Sequence, residues 1–132
     1  MLNQSGVTKT TGMARKTILF DTQLMFALPV MISNNGVSAD ENGKKIVKAG
    51  TPIAGSLTNR DTAFTVAKDS GEGTKTSNAV GILEHDVDVT AGNANGSCIT
   101  FGFIDVDKLD ASVVELLTDA AKSNLKNVQF IK

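Results

Sequence analysis

The chain has 132 residues, enough for one domain and too few for two comfortable ones, and its hydrophobic fraction of 41% is ordinary for a soluble fold. A formal net charge of −1 argues against a dedicated nucleic-acid binder, and without Trp or Tyr only six Phe remain for stacking on bases or sugars. Cys98 is the single cysteine, which excludes an internal disulfide and reads as a small buried hydrophobe.

Residues 1–16 (MLNQSGVTKTTGMARK) are polar and carry Lys9, Arg15 and Lys16 with no acid. So few apolar groups do not repay the entropy of ordering. The segment reads as a flexible N-terminal arm, or as a leader or tag with Met13 as an alternative start. Thr17 to Ser33 is the opposite, with TILF followed by LMFALPVMIS. Pro29 disfavours a helix there and favours extended structure. The apolar run from Leu24 to Leu28 is hazardous when uncovered, so it needs either this domain's own sheet or a partner chain over it. The stretch from Leu24 to Ile32 is far shorter than the roughly 20 residues that span a bilayer, and a small-residue cleavage site is missing. No membrane or secretory role is expected, and synthesis in a reducing cytoplasm is.

Asn34-Asn35-Gly36 and Asn42-Gly43 are turn signals, the second reversing the chain between Ala39-Asp40-Glu41 and Lys44 to Val47. Gly50, Pro52 and Gly55 give AGTPIAGSL an irregular path. Thr62 to Ala67 is a short strand, and Asp69 to Ser77 a polar, mobile loop. Ala79 to Thr90 (AVGILEHDVDVT) holds two short apolar runs, with Asp86 and Asp88 alternating against Val87 and Val89 as on a strand with one wet face. After an AGNANG turn, Ser97 to Val106 is apolar on both faces and predicts a central strand, with Ile99, Phe101 and Phe103 together on one face. One helix follows. Ser112 and Glu115 match a capping box with Asp110 as the competing cap, and Val113, Leu117 and Ala121, with Val114 and Leu125 alongside, form a stripe that packs on the sheet or contacts another subunit. Asn127 stops it and VQFI makes a final strand.

The chemistry on offer is thin. Glu84, His85, Asp86 and Asp88 are the one cluster with metal-ligating residue types, but alternate residues share a strand face, so His85 points away from the two aspartates and there is no second histidine. Asp105, Asp107 and Asp110 lack the glycine and terminal glutamate of a calcium loop and read as strand-end and helix-capping acids. No serine or cysteine nucleophile has a base and orienter beyond His85. Neither enzyme activity nor a cofactor is expected. From Glu84 to Asp119 eight acids face Lys108 alone, a polarity opposite to that of residues 1–16.

Three stretches in order resemble the head decoration proteins of tailed bacteriophages, the lambda-like capsid-stabilising family. They are Ala49-Gly50-Thr51-Pro52-Ile53-Ala54; Ala79 to Leu83 with Asp86-Val87-Asp88 and Thr90; and Gly96 to Asp105 with the helix and VQFI that follow. The match covers roughly Lys45 to Lys132. The chain departs from the family in its apolar segment Thr17 to Ile32 and in lacking the tryptophan of some members.

The resemblance implies a viral structural protein. It would be a homotrimer on the outer surface of the virion that cements subunits of the major capsid protein on the expanded head, with no nucleic-acid or membrane partner. The expected fold class is α+β and β-rich, a small mixed sheet or partial β-barrel with one C-terminal helix. The expected division is an arm over residues 1–33 and a core domain over 34–132. Within the arm, Thr17, Ile18, Leu19, Phe20, Leu24, Met25 and Phe26 are the expected capsid-binding residues, acting by strand addition, so that loss of residues 1–32 should leave a folded core without capsid affinity. The alternatives are a head fibre base or tail component, a small hydrolase or metal protein using His85 and Asp86, and an oligomeric host β-domain.

Overall fold

The computed structural model describes residues 17–19 and 24–132. Its strands, in chain order, are β1 (Phe26–Ile32), β2 (Ile46–Val47), β3 (Pro52–Ala54), β4 (Thr65–Val66), β5 (Asp69–Ser70), β6 (Thr76–Ser77), β7 (Gly81–Leu83), β8 (Val87–Asp88), β9 (Ala94–Asp105) and β10 (Val128–Ile131). A 3-10 turn (Val106–Lys108) and helices α1 (Ala111–Val114) and α2 (Asp119–Asn124) connect β9 to β10. Among the described residues one six-stranded mixed sheet runs β10-β9-β7-β3-β4 with β1 also on β9, beside two-stranded ladders β2-β8 and β5-β6. The fold is α+β and β-rich, and it is not a closed barrel.

The long strand β9 organises the molecule because both of its edges are used. Cys98 and Ile99 pair with Leu28 and Ala27 of β1 on one edge and with Leu83 and Ile82 of β7 on the other. Further along, Gly102–Asp105 pairs in parallel with Val128–Ile131. Parallel neighbours need a crossover rather than a hairpin, and the two short helices supply it. On the opposite edge the Asp105 N–H donates to the Ile18 carbonyl at 2.9 Å, and Leu19 bridges Ile104.

The sheet is therefore apolar on both faces, and each face has its own core. One core lies under the helices and joins Ile18, Leu19, Ile82, Ile99 and Ile104 to Val113, Leu117, Ala121 and Leu125. The other lies under the β2-β8 ladder and joins Val30, Ile32, Ile53, Leu83 and Cys98 to Phe64, Val47, Val87 and Val89. Burial on both sides is what a central strand with continuous apolar residues requires. It also answers which cover the apolar segment takes. Val30 and Ile32, 4% and 1% exposed, lie in this chain's own core. The expected boundary at residue 33 thus cuts through a folded unit that already includes Ile18, and removal of residues 1–32 would take core residues with it.

Pro29 sits within β1 because β1 is an edge strand there. The Met31 carbonyl accepts from the Phe64 N–H at 2.7 Å, and the Pro29 carbonyl accepts from the Arg60 guanidinium at 2.8 Å. Residues 29 and 31 thus direct their peptide groups away from β9, and the N–H that proline lacks is not one the β9 ladder needs.

The local expectations fare unevenly. Both Asn-Gly turns form, with Gly36 at φ +79 and Gly43 at φ +78. Asp69 to Ser77 is a hairpin, with Asp69 opposite Ser77 and Ser70 opposite Thr76, rather than an unstructured loop. The single helix is two helices. Asp110, not Ser112, caps α1 by accepting from the Ser112 N–H at 3.0 Å, and Thr118 caps α2 by accepting from the Ala121 N–H at 3.1 Å. Of the expected stripe, Val113, Leu117, Ala121 and Leu125 nevertheless pack on the sheet as one surface, whereas Val114 faces outward, 40% exposed. In β9 a register shift between Ile99 and Phe101 separates two residues expected on one face. Ile99 is buried under the helices, whereas Phe101 is 45% exposed.

Candidate functional site

The residues of the central motif serve the fold. Val87 and Val89 are buried under the sheet, and the acids between them tie loops together. The Asp86 carboxylate accepts from the Ala49 N–H at 2.7 Å, fixing the approach to β3. The Asp88 carboxylate accepts from both the N–H and the hydroxyl of Thr90, and the Thr90 hydroxyl oxygen accepts from the Lys45 N–H at 2.8 Å. The Thr90 hydroxyl, with its own N–H second, holds the Asp88 carboxyl below the usual range. AVGIL needs its glycine because the sulfur of Cys98, on the neighbouring strand β9, occupies the place a Cβ on Gly81 would take. In AGTPIAG, Gly55 lies so close to the Phe64 ring that a Cβ would sit 2.6 Å from it.

Reactive groups are not gathered. His85 faces Glu84, with Nε2 3.5 Å from a carboxylate oxygen, while its Nδ1 is buried and has no hydrogen-bond partner among the described residues. Cys98 is fully buried, and burial pushes its thiol up to about 11, far from a nucleophile's range. Among the described residues no three His, Cys, Asp or Glu side chains are placed to hold a metal ion, and no helix is long and apolar enough to cross a membrane. The one ion pair between fully charged side chains among these residues, Lys48 Nζ to Asp110 Oδ2 at 3.0 Å, ties the start of α1 to the β2–β3 loop.

What the structure does present is an uncovered apolar surface. Phe26 of β1 and Phe101 of β9 are cross-strand partners, 55% and 45% exposed. The two rings share a face, since directly paired residues point to the same side of a sheet. The Thr100 hydroxyl donates to the Phe26 carbonyl at 3.4 Å beside the register shift. The reason for the exposure is the length of the covering layer. The β2-β8 ladder and Phe64 pack over the half of the sheet holding Val30, Ile32 and Cys98. Phe26 and Phe101 lie on the same face past that layer. Leu24, 54% exposed, lies two residues before Phe26.

The seven expected contact residues divide. Ile18 and Leu19 are committed to the core under the helices, and Met25 packs half-buried against it. Thr17 is exposed and its hydroxyl accepts from the Leu19 N–H at 3.3 Å. Leu24 and Phe26 are exposed, and Phe20 lies outside the described residues. Phe101 was missed because strict alternation assigns it to a core face; the irregularity at Thr100 leaves no mark that alternation can read. A second open feature lies at β10. The Gly102 N–H donates to the Asn127 carbonyl, and this alternation turns the peptide groups of Phe130 outward, where the described strands offer no neighbour.

No protein-family model matches this sequence, and no curated protein does either.

Proposed function

We propose that the chain is a capsid decoration protein of the lambda-like type, a homotrimer that binds the outside of an expanded phage head and cements neighbouring major capsid subunits. The observation that carries this reading is the exposed Phe26–Phe101 pair on a domain whose motif residues are all engaged in folding. A shell-binding protein needs no reactive group; it needs an apolar contact, a rim and repetition. Phe26, Phe101 and Leu24 supply the apolar contact, and the outward peptide groups of Phe130 supply a sheet edge for an extended segment. The ordered likeness to decoration proteins supplies the trimer and the lattice. Three linked copies turn modest single contacts into tight attachment, because the second and third bind at high effective concentration.

The test is direct. Purified protein is mixed with expanded, undecorated heads, and co-sedimentation and heat resistance of the particles are measured. Saturable binding with raised heat resistance is the expected result. A strictly monomeric protein that leaves the heads unbound and equally heat-labile overturns the reading.

A further inference from the structure

We propose that Asn35 is a site of spontaneous deamidation, that Asn42 is a slower second site, and that the third Asn-Gly step, at Asn95, is protected by the fold. The chain contains three such dipeptides, Asn35-Gly36, Asn42-Gly43 and Asn95-Gly96. In all three the following residue has no side chain to hinder attack, so sequence alone ranks them equally. The structure does not.

The reaction begins when the glycine backbone nitrogen, having lost its proton, attacks the asparagine side-chain carbonyl carbon. A C–N bond forms, the bond to the side-chain nitrogen breaks, and ammonia leaves. One water then opens the five-membered imide at either carbonyl and gives aspartate or isoaspartate. The balance is one water consumed and one ammonia released, with no oxidant or reductant. Three things are required: a nitrogen free to lose its proton, a backbone free to rotate, and space for the ring.

Asn35 meets the first and the third, and its turn is held by fewer bonds than that of Asn42. Asn35 and Gly36 are exposed in a turn, and a Cβ on Gly36 would meet nothing within 4 Å. The turn is closed by its neighbours, Val37 N–H to the Asn34 carbonyl at 3.3 Å and Asn35 N–H to the Ser33 hydroxyl at 3.0 Å. Among the described residues the Gly36 N–H has no acceptor.

Asn42 is as open, and a Cβ on Gly43 would also meet nothing. Its attacking nitrogen is occupied, however, because the Gly43 N–H donates to the Asp40 carbonyl at 3.0 Å. The Asp40 carboxylate also accepts from the N–H groups of Asn42 and Lys44, at 2.8 and 3.0 Å, which stiffens the turn.

Asn95 lies within β9, paired with Met31, and Gly96 is paired with Val30. A Cβ on Gly96 would come within 3.0–3.1 Å of Ile32, Val87 and Leu83. Ring closure there would break the ladder and intrude on the core.

The experiment ages the purified full chain in mildly alkaline buffer, natively and in concentrated urea, and follows each peptide by mass spectrometry with enzymatic labelling of isoaspartate. In the native protein Asn35 should convert first, Asn42 several-fold more slowly, and Asn95 not measurably; in urea the three rates should converge. Asp40→Ala should raise the native rate at Asn42 toward that at Asn35. Native conversion of Asn95 at the pace of Asn35, a native order that persists unchanged in urea, or indifference of Asn42 to Asp40→Ala would overturn the proposal.

Discussion

Gly81 and Cys98 meet across the paired strands β7 and β9, so closely that a Cβ on Gly81 would overlap the Cys98 sulfur and stand 2.8 Å from the Ile99 carbonyl oxygen. The glycine of AVGIL is thus fixed by strand packing. Gly81→Ala should cost about 1–3 kcal/mol as an overpacked core. Adding Cys98→Ala should recover part of that loss, since it removes the sulfur and leaves the carbonyl in place; the coupling should fall within about 0.5–3 kcal/mol. Urea unfolding of the two single variants and the double variant measures it. Additive losses would show that the strands simply separate.

Asp86 makes the second case for a structural motif. Its carboxylate receives the N–H of Ala49, a residue only 8% exposed. Asp86→Ala leaves that N–H without its acceptor, at about 1–3 kcal/mol. Asp86→Asn keeps an acceptor oxygen and should lose much less. Comparing denaturation midpoints of the two variants separates a hydrogen-bonding role from a charge role, and near-equal losses would favour charge.

Much of this architecture could be read before any coordinates. The Asn-Gly turns, the strand at VQFI and the stripe on Val113, Leu117, Ala121 and Leu125 follow from local chemistry, and locally determined features are the legible ones. The break between α1 and α2 was hidden because Leu117 continues the stripe through it, although Thr118 before Asp119 carries a cap signal of its own. The shift at Thr100 was hidden because it is set by the pairing of Phe101 with Phe26, 75 positions earlier in the chain than Phe101. The same holds for the proposed contact surface. Leu24 and Phe26 could be picked out as needing cover, but the separation of Ile18 and Leu19 from them depends on which edge of β9 the segment joins.

Acid should loosen the junction between α1 and the β2–β3 loop. The Lys48 ammonium beside Asp110, followed by the Ser112 hydroxyl and N–H, lowers the Asp110 carboxyl from 3.8 to about 2. A carboxyl lowered on folding stabilises the native state above its unfolded pKa, and the benefit fades as pH falls from about 4 to about 2. Thermal melts across that window should show a shallower fall for Asp110→Asn, which keeps a capping oxygen but does not titrate, than for the parent chain. Lys48→Met should also flatten the fall, and because both groups are solvent-exposed the effect should shrink in high salt.

Truncation distinguishes an appended arm from an integral strand. Removing residues 1–16 takes no member of either described core and should leave a cooperative unfolding transition. Removing residues 1–32 deletes Ile18, Leu19, Val30 and Ile32, all under 5% exposed, and leaves one edge of β9 unpaired. Losses of about 2–5 kcal/mol for a single large aliphatic side chain, summed over four, are as large as the whole stability of an ordinary small domain. The shorter fragment should therefore be unfolded or aggregated, as judged by circular dichroism and gel filtration. A monomeric, cooperatively melting fragment 33–132 would mean that the β2-β8 ladder and the helices suffice as a core.

The sharpest test of the contact surface replaces its two rings together. Phe26→Ser with Phe101→Ser removes a half-exposed cross-strand pair, so the free protein should lose only about 1 kcal/mol. Binding should suffer far more, because aromatic anchors at the centre of an interface often carry 2 kcal/mol or more each, equivalent to roughly 30-fold in affinity. A doubly substituted protein with a near-normal melting curve should thus fail to co-sediment with expanded heads at concentrations that saturate the parent. Leu57→Ser, at an exposed apolar residue in the β3–β4 loop, serves as the control and should leave binding unchanged. Should the double variant bind heads as the parent does, the aromatic pair is not the contact, and the open edge at Phe130 becomes the next site to block, by Phe130→Pro.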